Sequence, residues 1–130
     1  MPEVQTQIAE QTQLLLTSTL EPDLQIGVLP AEGGIVLQIV SGTTETMYFD
    51  RSSIRSVTLQ ILCKDTQRSA VDRVAACCNL LQSLTEFDAN DDYQMIGYEI
   101  DTDPQFVSFE SPGGMAIYTA VVRARYYVRK

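Results

Sequence analysis

The sequence predicts an α+β fold, a mostly antiparallel sheet with two helices packed on one face. Three observations carry that prediction. Ile54–Cys63 and the run from Met115 to Val128 alternate between two faces, with a period that suits half-buried strands. Between them, from Gln67 to Leu84, the apolar spacing changes to that of a helix. The order of segments, helix, strands, helix, strands, contains no internal repeat and no linker, so the 130 residues form one domain.

Each element has a local reason. Pro2 and Glu3 suit a helix start, and Val4, Ile8 and Leu15 fall near one stripe of a helix over residues 3 to 18. Glu21-Pro22-Asp23 breaks it, and Pro30 to Gly34 makes a second break, leaving Leu24–Val28 as a short strand. Ile35–Val40 reads as the next strand, Ser41-Gly42-Thr43 as a turn, and Met47–Phe49 as a short strand pairing back. In Ile54–Cys63, Val57, Leu59, Ile61 and Cys63 share one face. The second helix presents Ala70 or Val71, Val74, Cys77 or Cys78, Leu81 and Leu84; Ser69 with Asp72 has capping-box spacing, and Asp65 or Thr66 offers a cap one turn earlier. After the polar loop Asp88–Asp92, a strand over Tyr93–Asp101 ends at Pro104. Phe106–Glu110 and Met115–Val128 then form a hairpin around Ser111-Pro112-Gly113-Gly114. The crossover helix leaves the strands at 54–63 and 93–101 as possible parallel neighbours.

Composition removes several kinds of chemistry. The chain has no histidine, which excludes a Ser/His/Asp triad, a Cys/His dyad, a His-ligated metal and an imidazole proton shuttle. Cys63, Cys77 and Cys78 show neither disulfide-framework nor zinc spacing. Asp88, Asp91 and Asp92 lack the alternation and central glycine of a calcium loop, and Asp101 with Asp103 reads as exposed anions rather than an acid/base pair. Gly33-Gly34 and Gly113-Gly114 read as turns. No catalytic, cofactor or metal site is expected. The apolar runs are too short for a signal peptide or a membrane span, and synthesis in the cytoplasm is the expectation.

Charge is segregated along the chain. Residues 1 to 50 hold seven acids and no base, residues 51 to 73 five bases and two acids, residues 74 to 122 eight acids and no base, and residues 123 to 130 four bases and no acid. Either these are solvated faces, or basic and acidic rims lie on different sides of a subunit and copies meet head to tail. On the second reading Arg123, Arg125 and Arg129 share the face opposite the core row Val122, Ala124, Tyr126 and Val128, and Arg51 and Arg55 sit at the mouth of the other long strand. Their expected partners are Glu99, Asp101, Asp103 or Glu110 of the next subunit. A formal net charge of -8 argues against sequence-independent binding of nucleic acid.

The N-terminal helix, the sheet meander, the strand Arg55-Ser56-Val57-Thr58-Leu59-Gln60-Ile61-Leu62-Cys63-Lys64-Asp65, the helix ending Asn79-Leu80-Leu81-Gln82-Ser83-Leu84 and the strand Ala116–Tyr127 together resemble the tail-terminator (minor capsid, neck) proteins of long-tailed bacteriophages. The resemblance spans nearly the whole chain. It implies a non-enzymatic virion protein, made in the bacterial cytoplasm, that forms a ring of six copies. Its partners would be the tail tube protein and the head-tail connector protein, with DNA only a passenger through the lumen and no membrane involved. A negative lumen would repel phosphate and let DNA slide. Two other readings stay open: another neck protein, such as a head-completion or connector subunit, and a small ligand-binding or regulatory α+β module.

Overall fold

A computed structural model describes residues 4–30, 32–48, 52–87, 93–110 and 114–128. Helix α1 spans Val4–Thr19, strand β1 Gln25–Ile26, β2 Gly34–Met47, β3 Ser53–Thr66, helix α2 Gln67–Ser83, β4 Gln94–Glu110 and β5 Met115–Val128. Among the described residues the strands form one sheet in the order β1-β2-β3-β5-β4. The β1–β2 pair is parallel and the other three are antiparallel. The fold is α+β.

The helix-facing side of the sheet is the apolar row of each strand. Ile35 and Leu37 of β2, Val57, Leu59, Ile61 and Cys63 of β3, and Ala120, Val122, Ala124 and Tyr126 of β5 are buried with Ile8, Ala9 and Leu16 of α1 and Ala70, Val74, Cys77, Cys78 and Leu81 of α2. Both helices therefore cover one face. On α1 the buried stripe is Ile8, Ala9, Thr12 and Leu16, one position off the Leu15 expected from spacing. Thr12 is tolerated there because its hydroxyl donates to the Ile8 carbonyl at 2.8 Å; its single proton spent, Thr12 Oγ1 accepts from the Tyr98 hydroxyl at 2.7 Å. Tyr98 reaches that far because the residues beside it in the sheet, Ala124 and then Val57, are small.

Three expectations are corrected. Ser41-Gly42-Thr43 is not a turn, because β2 runs through it, with register shifts between Ile39 and Ser41 and between Thr44 and Thr46. Gly42 is needed for a close approach: a Cβ there would overlap the side-chain amide of Gln5 on α1. Pro104 does not end its strand either. It lies in β4 within the register gap between Thr102 and Gln105, and β4 is an edge strand, where a residue without an N–H costs no ladder bond. The strands over 54–63 and 93–101 do run parallel but are not neighbours, since β5 lies between them. Of the two caps offered for the second helix the earlier one holds: the helix begins at Gln67 after Thr66, whose N–H is held by Asp65 Oδ1 at 2.7 Å, and the Ser69–Asp72 alternative lies inside it. The proposed helix start at Pro2 and Glu3, the end of the third strand at Phe49, and the Asp88–Asp92 loop lie outside the described residues.

One clamp joins the layers near the start of β2. Arg73 of α2 donates to Glu21, after α1, at 2.7 Å and to Asp65, at the end of β3, at 3.0 Å. The bond to Glu21 and then the nearby charges hold the guanidinium above its usual pKa despite partial burial. Beside it Gly33, with φ of 110°, lets β2 begin against β3: a Cβ there would lie 2.9 Å from the Lys64 carbonyl oxygen and 2.8 Å from the Met115 side chain.

Candidate functional site

The charge blocks fold into a pattern that the linear sequence hides. The basic strands β3 and β5 are neighbours in the middle of the sheet, and the acidic strands β2 and β4 flank them. On the face away from the helices, Arg123 donates to Asp101 of β4 at 3.1 Å. Arg125 is shared, contacting Glu45 of β2 at 3.2 Å on one side and Glu99 of β4 at 3.4 Å on the other. Hydrogen bonding to Glu45 leads the effects that hold the Arg125 guanidinium above its usual pKa.

These pairs correct the expected interface. Asp101 and Glu99 meet the arginines within one chain rather than from a neighbour, because β4 pairs with β5 directly, with Glu99 opposite Arg123. Glu45 was missed, because its pairing with Arg125 depends on β3 lying between β2 and β5, a strand order that the linear charge pattern does not give. Arg55 sits on the other face, opposite Tyr126, where it is exposed and donates to Ser53 Oγ at 3.0 Å. Asp103 is exposed in the register gap of β4. Arg51, Arg129 and the side chain of Glu110 lie outside the described residues.

The thiols are unsuited to nucleophilic work. Burial pushes Cys63 and Cys78 up to about 11 and Cys77 up to about 12, where almost no thiolate exists at neutral pH. A polar groove of about 590 Å³ runs past Asp23, Gln25, Gly33, Lys64 and Arg73, but the Arg73 guanidinium is already engaged by two carboxylates. Among the described residues no three His, Cys, Asp or Glu side chains are grouped to hold a metal, and no helix is long and apolar enough to cross a membrane.

What the surface does offer is apolar groups at both ends of the sheet. Beside the β2–β3 turn, Met47 is 63% and Tyr48 47% exposed. Near the end of β4, Phe106, Val107 and Phe109 are 45%, 50% and 60% exposed, and the two phenylalanine rings lie tilted at 56° with centroids 4.8 Å apart. The first group lies beside Ser53, which pairs with Val128 at the end of β5, and the second beside Ala116 at its start, so nearly the full length of β5, about 40 Å, separates them. No model of a known protein family matches the chain, and no curated protein matches it either.

Proposed function

We propose that the protein is a structural component of a long-tailed bacteriophage virion, made in the bacterial cytoplasm. It would cap the finished tail tube as a ring of six copies and join the tube to the head connector while DNA passes through the centre. The observation that carries this reading is the pair of exposed apolar clusters at opposite ends of one sheet, Met47 with Tyr48 and Phe106 with Val107 and Phe109. A joining protein needs two adhesive surfaces facing different neighbours, and solvent-facing apolar groups gathered in this way mark contact sites. The resemblance of the whole layout to tail terminators supports the same reading. So does the state of Arg123 and Arg125, whose charges are compensated by Asp101, Glu45 and Glu99 and so give passing phosphates little to hold. On this reading the protein acts through its surfaces and is not an enzyme.

The test is removal of the gene from the phage that encodes it. A tube without its cap keeps a growing end, so electron micrographs should show tails of uncontrolled length that fail to join filled heads. Tails of normal length that lack heads would instead favour a head-completion or connector subunit, and normal virions would end the neck reading altogether.

A further inference from the structure

Among the described residues the sheet has two uncovered edges. On one side β1 pairs only with Val36 and Leu37, so among the described residues the outer edge of β2 from Gln38 to Met47 carries no strand. On the other side β4 pairs with β5 alone. An edge strand presents a row of backbone N–H and C=O groups ready to pair with another chain, and proteins that avoid this place charges, prolines or bulges along it. In β4 the charges and the proline, Asp101, Asp103 and Pro104, and three of the four register shifts fall after Ile100, while the fourth lies between Met95 and Gly97. The stretch Gln94–Ile100 holds one charge, Glu99, and an exposed Ile96.

We propose that copies of this chain join edge to edge, with Gln94–Ile100 of β4 in one copy pairing antiparallel to the uncovered stretch of β2 in the next, so that one sheet continues from subunit to subunit. This deepens the ring reading and rests on it. Three features point to a second copy as the occupant. The first is direction: β4 runs opposite to β2 across the sheet, so copies set side by side in the same orientation bring the two edges together antiparallel. The second is level. Gln94 lies in the row of Tyr127, Ile54 and Thr46, while Ile100 lies in the row of Val122, Leu59 and Ile39, so the two free stretches begin and end at the same heights. The third is chemistry, since Ile100, half-buried, falls level with Ile39, 38% exposed, and the two isoleucines would meet on the helix-facing side. Across this junction Glu99 falls level with Ser41 rather than with Glu45, and both acids are compensated by Arg125 within each copy. Because the two edges differ, the contact is heterologous and closes into a ring when the rotation per copy allows.

Cross-linking tests it. The native cysteines are buried with poorly ionised thiols, so cysteines introduced by Ile96→Cys and by Thr44→Cys, which falls level with it, are the reactive ones. At pH 7 with a short bismaleimide, an equal mixture of the two single variants should give cross-linked dimers, each variant alone should not, and the double variant should give a ladder of bands. Rings in micrographs without 96–44 cross-links would overturn the edge pairing and leave the ring reading standing. Cross-linking of Ile96→Cys to itself would replace the pairing with a two-fold one. Chains that stay single, alone and on tails, would end both readings.

Discussion

The two faces of the sheet divide the work differently. On the helix-facing side, stability comes from fully buried apolar side chains, and the polar groups admitted there, Thr12 and Tyr98, satisfy each other. On the other side, Val36, Ser56 and Thr119 apart, the side chains are half-buried or exposed, and Gln60 bonded to Thr119, Arg123 to Asp101, and Arg125 to two acids link four strands through polar groups. Apolar burial is worth far more per residue than an exposed ion pair. The comparison teaches that the first face sets the fold, while the second can be rearranged at little cost to folding and is free to serve assembly.

Substitutions should separate the faces. Ile61→Ala removes a side chain that is 0% exposed, between Leu37 and Ala120, and is expected to cost about 2–5 kcal/mol in urea unfolding. Arg73→Leu should cost about 1–3 kcal/mol by the same measurement, since it strands the largely buried Glu21 carboxylate, whose side chain is 14% exposed. Replacing Glu21 by Gln alongside it should recover part of that loss. Arg123→Gln breaks one half-exposed pair and should change stability by no more than about 1 kcal/mol. If the Arg123 variant proves as unstable as the Ile61 variant, the division between faces is wrong.

The buried face should also set the alkaline limit. Burial pushes the Tyr98 phenol up to about 12 from an ordinary 10.0, and the three thiols up from 9.0 to about 11 or 12. Above the ordinary values the unfolded chain loses protons that the native chain keeps, so stability falls as pH rises. The loss should begin near pH 9 and continue through about 12, in a series of unfolding curves against pH. Tyr98→Phe removes the phenol's share of the loss above pH 10 and, by leaving Thr12 without its donor, costs about 1 kcal/mol at neutral pH.

Much of the fold was legible because local periodicity and packing agree. The alternation in Ile54–Cys63 and Ala116–Val128 and the helical spacing after Gln67 each name the face that is buried. Gly42 and Pro104 misled because both usually punctuate strands, and only the neighbours explain their presence: Gln5 packs against the glycine, and the proline sits on an edge. The charge pattern misled for a related reason. Its segregation along the chain was plain, but strand order is a long-range property, and placing β5 between β3 and β4 brings Arg123 and Arg125 beside acids of their own chain. The uncovered edges were not legible at all, since they depend on β1 being only two residues long.

The most direct test of the account is the mass of the assembled protein, measured by native mass spectrometry and analytical ultracentrifugation over a wide concentration range, with and without purified tail tubes. A subunit of 14.5 kDa joined head to tail should give one dominant closed species, six copies on the tail-terminator reading, with no ladder of open chains above it. A monomer or a two-fold dimer under every condition, tubes included, would contradict it.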